Sequence, residues 1–158
     1  CINPGFVLGD FLNEKTCTSM EYVKQLLQGK FPAAPKFSVM ISHVKDIAKA
    51  HVLSLKNKSA GGRRLIVGSE VRSILELSQI MAKNIPSHAK KLPKRELPNF
   101  MVKLLSYVDT SAKNMVPDLG LKMQTDQTYA EDILQMKFIA SEIAVVDAAK
   151  SVIRLNLA

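Results

Sequence analysis

Apolar and polar positions along this chain fall into two alternating rhythms, short apolar runs and longer helical stripes. Ile2 to Leu8 reads as a buried strand interrupted by Pro4-Gly5; proline donates nothing to a ladder, so the strand is expected to end there and the chain to turn. In "TSMEYVKQLLQGK" Met20, Val23 and Leu27 share a helical face, Thr18 and Glu21 stand at capping-box spacing, and Gly29 offers a stop. "FSVMIS" predicts a short strand. "HVKDIAKAHVLSLKN" predicts a helix with Val44, Ile47, Ala48, His51, Val52 and Leu55 on one side and lysines on the other. Ala60-Gly61-Gly62 is a turn before the compact strand "RRLIVG". In "SILELSQIMAKNI" the pair Ser73 and Glu76 again has capping-box spacing, with Ile74, Leu77 and Met81 along a stripe.

Pro86, Pro93 and Pro98 mark an irregular stretch, and "NFMVKLLSYV" after it predicts a short helix. "LGLKMQTDQTYAEDILQMKFIA" predicts an extended piece and a small helix over Gln127 to Leu134. Ser141 to Arg154 is a final helix with Asp147, Lys150 and Arg154 on its polar edge. Strands alternating with helices predict an α/β arrangement rather than a helical bundle.

The 158 residues and 47% hydrophobic content suffice for one domain with a sizeable core. No apolar stretch approaches the roughly 20 residues of a membrane-spanning helix, and no secretory signal opens the chain. Cys1 and Cys17 form no disulfide framework, so a cytoplasmic, reducing setting is the expectation. The net charge of +8 raises the question of nucleic acid. The densest basic run, "HAKKLPKRELP", has no interleaved aromatic residue to stack bases and reads as a solvated loop; no nucleic-acid partner is expected.

No self-contained active site emerges from residue types alone. His43, His51 and His88 have no Cys or carboxylate at metal-ligand spacing. His51 lies on the apolar side of its helix and reads as structural, His88 as solvated. His43, at a strand-to-helix junction, is open to either a structural or a pocket-rim role. No serine sits in a nucleophile elbow, no Gly-x-Gly-x-x-Gly or P-loop occurs, and none of Tyr22, Tyr107 and Tyr129 has a lysine four residues later.

At "INPGFVLG" the chain resembles the extended short-chain dehydrogenase/reductase superfamily, and within it the dihydroflavonol-reductase-like branch. "TSMEYVKQLLQGKFPAAP", "HVKDIAKAHVLSL", "GRRLIVGSEVRSILELSQIM", "LPKRELPNFMVKLL" and "LGLKMQTDQTYAEDILQMKFIASEIAVVDAAKSVIRL" follow in that family's order, so the resemblance runs nearly end to end. Asp10 stands where the family usually has proline. The resemblance implies the C-terminal portion of a Rossmann-type NAD(P)-binding fold plus a small mixed α/β substrate-binding lobe. The last Rossmann elements would fall at about 1–9 and 37–68, interleaved with the lobe at about 10–36 and 69–158.

It also implies that a whole enzyme carries a preceding Rossmann half with the Gly-rich dinucleotide turn and the catalytic Ser, Tyr and Lys. In such enzymes the tyrosine gives a proton to the carbonyl oxygen while the nicotinamide delivers hydride. This chain is then expected to begin at the strand after the catalytic helix and to carry no catalytic residue of its own. Pro4, Gly5, Phe6 and Val7 match the segment that lies against the nicotinamide ring, and Ser19 matches a position near the cofactor, where it also reads as plain helix capping. Phe6 and Met20 are open to substrate contact or core packing.

The implied activity of the parent protein is reduction of an aldehyde or ketone with NADP, or with NAD, and the implied partner is a small-molecule carbonyl substrate. The same scaffold hosts nucleotide-sugar epimerases and dehydratases and hydroxysteroid dehydrogenases, and a non-catalytic redox-sensing module is the rival from another class. For the sugar-nucleotide alternative, adjacent Arg63-Arg64 by a turn reads as surface rather than a diphosphate clamp. As a severed piece the chain is expected to expose strand faces and to self-associate.

Overall fold

The first strand ends at Pro4, as expected, and across Gly5 the chain passes from one sheet to another. In the computed structural model, which describes residues 1–15, 17–107, 116–121 and 123–158, β1 (Ile2–Pro4) runs parallel to β5 (Leu65–Val67). After Gly5 the chain resumes as β2 (Phe6–Leu8), now parallel to β4 (Ser38–His43), which pairs antiparallel with β6 (Val71–Ser73). The expected turn is thus a change of partner. Gly5 is required there, because a Cβ would run into the Met40 carbonyl oxygen and come within 3.0 Å of the Met40 carbonyl carbon and Cβ. A third, two-stranded parallel sheet joins β3 (Ala34–Pro35) to β7 (Glu96–Leu97).

The helices among the described residues are α1 (Thr18–Leu27), α2 (Val44–Lys56), α3 (Ile74–Asn84), α4 (Asn99–Leu105), α5 (Thr128–Leu134) and α6 (Ser141–Arg154). Only one of the two anticipated capping boxes forms. At α3 the Ser73 hydroxyl accepts from the Glu76 N–H at 3.2 Å, and the Glu76 carboxylate accepts from the Ser73 N–H at 2.7 Å. At α1 the helix starts one residue earlier than that pattern requires: Cys17 is the N-cap without a side-chain bond, and Glu21 binds Lys24 and Gln25 instead. Val108, at the end of the segment expected to be helical, and Lys122, in the piece expected to be extended, lie outside the described residues. No strand occurs among the described residues of 116–127, which hold a 3-10 turn over Val116–Asp118.

Two apolar clusters organise these elements. The larger packs α1, α3 and α6 against β2 and β4, and its centre includes Leu8, Met20, Leu26, Ile41, Leu77 and Val145. Small residues on α6, Ala144, Ala148 and Ala149, are fully buried and let that helix approach α1 and α3 closely. Met20 belongs to this core, which settles the question left open at that position. The smaller cluster sits on β1 and β5 under α2 and α5 and centres on Ala50, Leu65, Val67, Ala130 and Leu134.

Helix α2 reverses an expectation. The side carrying Val44, Ala48, His51, Val52 and Leu55 faces outward, with Val52 51% and Leu55 90% exposed. The helix packs instead through Ile47, Ala50 and Leu53, and through Asp46, whose buried carboxylate accepts the Ile139 N–H at 2.7 Å. A helix lying on a two-stranded sheet has only part of its circumference covered, and hydrophobic pattern alone does not say which part. His51 is therefore not a core histidine; it is exposed, with Nδ1 bonded to the Ile47 carbonyl at 2.8 Å.

Long-range polar contacts tie α6 to the strand ends. His43, 1% exposed, is the N-cap of α2: Nδ1 accepts the Lys45 N–H at 3.1 Å and Nε2 faces Asp147 at 3.4 Å. Asp10 accepts from Arg154 at 2.8 Å, and Arg154 also reaches the Phe11 carbonyl at 3.0 Å. Asp10 thereby fixes by an ion pair the loop that proline would stiffen in the resembled family. Among the described residues no helix is long and apolar enough to cross a membrane.

Candidate functional site

The change of sheet at Gly5 opens a cavity of about 520 Å³ beside it. Asn3, Pro4, Gly5 and Phe6 line it from the strand switch, Val39 and Met40 from β4, Ile66 from β5, and Met123 and Thr125 from the segment before α5. It sits at the carboxyl end of β1, beside its parallel partner β5, where the chain leaves one sheet for the next. Such switch points are where open α/β sheets bind ligands.

Local packing explains the shape. The Gly5 N–H donates to the Ser42 hydroxyl at 2.8 Å, and that hydroxyl donates to the Val67 carbonyl at 2.6 Å, so one buried side chain bridges the two sheets. Met40 lies between two bare backbones: a Cβ at Gly68 would sit 2.8 Å from its Cγ and Sδ, and one at Gly5 would strike its carbonyl. The lining is mainly apolar, with polar side chains from Asn3 and Thr125, and among the described residues none that ionises, so these residues supply no group that moves a proton near neutrality.

Three of the five residues singled out from sequence, Pro4, Gly5 and Phe6, meet in this lining. Val7 is half-buried in β2 and does not line it. Ser19 is buried in the first turn of α1, its hydroxyl 3.5 Å from the Cys17 sulfur and also outside the lining. Burial opposes the Cys17 thiolate, but the Ser19 hydroxyl and first-turn backbone N–H groups outweigh it, and the thiol titrates below its ordinary value. The Gly5 N–H, being taken by Ser42, is not offered to a ligand.

Behind the cavity wall, Phe6 meets Tyr22 edge-on, centroids 6.0 Å apart at 88°, and Tyr22 lies against Phe31 at 5.2 Å. The Tyr22 hydroxyl is buried without a partner among the described residues, and burial pushes its phenol well up from the ordinary value. None of the three histidines lines the cavity, and among the described residues no group of His, Cys, Asp and Glu is placed to hold a metal.

Met40, Ser42, Met123 and Thr125 were not singled out from sequence. Ser42 had a local signal, a lone hydroxyl after an apolar strand; Met123 and Thr125 reach the cavity only through the tertiary path of the chain.

No family profile matches the chain. Curated relatives do. Tetraketide alpha-pyrone reductase 2 of Arabidopsis thaliana is 30% identical over 87 residues, 55% of this chain and 27% of that protein. A putative NADPH-dependent methylglyoxal reductase of Candida albicans is 24% identical over 158 residues, covering 96% of this chain and 42% of the relative. Among solved structures, yeast methylglyoxal/isovaleraldehyde reductase complexed with NADPH superposes with a TM-score of 0.73 at 19% identity, over 98% of this chain and 43% of that one. The chain spans between 26% and 42% of the length of the curated relatives it matches. In sequence and in fold the chain is similar to reductases of the extended short-chain dehydrogenase/reductase type, also called NAD-dependent epimerases/dehydratases, and what it matches is a C-terminal part of such proteins.

Proposed function

We propose that the chain supplies the nicotinamide-side wall and the substrate lobe of an NADP(H)-dependent carbonyl reductase acting on a small aldehyde or ketone in the cytoplasm. The observation that carries this reading is the cavity at the strand switch, lined by Pro4, Gly5 and Phe6. Reductases among the relatives, one of them named for NADPH, support the cofactor and the reaction type. The residue division stays as the resemblance implies: last Rossmann elements at about 1–9 and 37–68, and a substrate-binding lobe at about 10–36 and 69–158.

The lining fits a nicotinamide ring in kind. Pro4, Phe6, Met40 and Ile66 offer apolar contact to the faces of a flat ring, and Asn3 and Thr125 offer hydrogen bonds to a carboxamide. The cofactor, when bound, supplies the hydride. This chain's residues would hold the ring in one orientation; Val7, next to Phe6 in β2, and Ser19, in the first turn of α1, stand outside that lining. The proton must come from another source, because Tyr22 lies behind Phe6 outside the lining and burial makes its phenol a weaker acid. The 158-residue chain alone is therefore expected to be inactive.

Titration of the chain with NADPH, followed by backbone amide NMR, tests the reading. Shifts concentrated at Gly5, Phe6, Met40 and Thr125 are the expected result. Shifts at those positions with UDP-glucose and none with NADPH would transfer the site to the sugar-nucleotide alternative. No response at millimolar concentration of either would remove the cavity as a cofactor wall.

A further inference from the structure

The basic run from Lys90 to Arg95 forms one side of a hollow of about 380 Å³ whose other side is the loop leaving α1. Lys90, Lys91, Lys94 and Arg95 line it with Gly29 and Phe31, and no Asp or Glu belongs to that lining among the described residues. None of the four cations takes part in an ion pair among the described residues. Acids near the run in sequence or fold are occupied: Glu96, next in the chain, faces Lys36 at 4.0 Å, and Glu21 of α1 is held by Lys24 and Gln25.

The backbone beneath these side chains is fixed. Leu92 is 3% exposed and belongs to the larger core. The Lys91 N–H donates to the His88 carbonyl at 2.9 Å, and the Ala34 N–H donates to the Arg95 carbonyl at 2.9 Å, beside the pairing of β3 with β7. Gly29, at a φ of +77°, lets the two loops meet, since a Cβ there would come within 3.2 Å of the Lys91 Cβ. Phe31 completes the wall and rests on Tyr22. Like charges gathered around one hollow repel one another and focus their field into it, and a turn pinned on both sides does not spread them by unwinding. A compact anion of several charges relieves that repulsion best. Lysine ammonium groups and an arginine fork are the donors that suit phosphate oxygens. A nucleic-acid strand needs a track with stacking platforms, whereas here the cations converge on one hollow with a single ring already packed on Tyr22.

We propose that this hollow binds a diphosphate or triphosphate group, free or carried by a small molecule. It shares no lining residue with the cavity at Gly5, so this binding stands or falls apart from the carbonyl-reductase reading. The basic run thereby gains a ligand in place of bare solvation.

Titration of the 158-residue chain with inorganic pyrophosphate and tripolyphosphate, followed by backbone amide NMR, tests this. Saturating shifts at Gly29, Lys91, Leu92 and Arg95 are expected, with affinity falling about tenfold as salt rises from about 20 to about 200 mM. Lys90→Gln/Lys94→Gln should weaken binding about tenfold, whereas Lys45→Gln/Lys49→Gln, which removes the same charge from the outer side of α2, should change it less than about twofold. Circular-dichroism melts of both should match the parent. Arg95→Lys, which keeps the charge and loses the fork, should weaken binding about threefold. ATP binding more tightly than tripolyphosphate would assign a nucleotide as the source, and equal or weaker binding the free anion. Equal weakening by the two double variants would mean that net charge alone attracts the anion and would overturn the proposal. So would citrate binding as tightly as pyrophosphate, or no shifts at this loop at millimolar concentration. A single-stranded oligonucleotide that displaces tripolyphosphate at lower phosphate concentration would overturn it in favour of a nucleic acid.

Discussion

Leu77 on α3 and Leu55 on α2 both belong to well-formed amphipathic stripes, yet Leu77 is fully buried and Leu55 is 90% exposed. The difference lies in what surrounds each helix. α3 lies in a core closed by α1, α6 and the three-stranded sheet; α2 lies on a pair of three-residue strands with α5 beside it. A hydrophobic stripe encodes the demand for a cover and says nothing of where the cover comes from. The larger core meets that demand internally, while the smaller one meets it only in part.

The junction of the two regions should be the most sensitive point. Gly5→Val forces a side chain into the Met40 carbonyl, so both sheets must part; a loss of about 3 kcal/mol or more is expected in urea unfolding. A loss below 1 kcal/mol would mean that the strand switch is slack. Within the cores, Leu77→Ala should cost about 3–4 kcal/mol and Leu134→Ala about 2, because the open neighbourhood of the smaller cluster can collapse around the missing atoms. Equal costs would erase the distinction drawn between them.

Acid should act on the periphery of the larger core. Hydrogen bonds from the Ser73 N–H and hydroxyl, together with Arg72, hold Glu76 below the ordinary carboxylate range. Burial works against the Glu70 carboxylate, but its bonds to Ser141 at the start of α6 more than offset that. Both values are depressed in the folded chain, so the stability they contribute is full above the unfolded value of about 4.3 and is lost as pH falls through the folded values. Ser73→Ala should remove about 1 kcal/mol at pH 7 and flatten the acid limb of the stability profile. At the far end of the scale, Leu55→Lys should change stability by no more than about 0.5 kcal/mol. A larger loss would show that the flank of α2 is already covered in solution.

Much of this architecture was legible in the sequence. The stripes of α1, α3 and α6 and the strands β4 and β5 follow from periodicity, and Ser73-x-x-Glu76 marks its helix start because serine and glutamate satisfy two otherwise orphaned N–H groups. Thr18 and Glu21 carry the same pattern without the geometry, since Cys17 takes the cap position and neighbours three and four residues on draw Glu21 away. Pro4-Gly5 read correctly as a discontinuity but not as a change of partner, because which strand waits on the other side is a tertiary fact. The same limit separates Pro4, Gly5 and Phe6, which line the cavity, from Met123 and Thr125, which arrive from more than a hundred residues away.

Ser42 carries a consequence of its own. One oxygen takes a proton donor from the chain at Gly5 and gives its own to Val67, so the first strands and the fifth are read against a common reference point. Removing that oxygen by Ser42→Ala would leave both the Gly5 N–H and the Val67 carbonyl without this partner, so the cost would fall on both sheets at once.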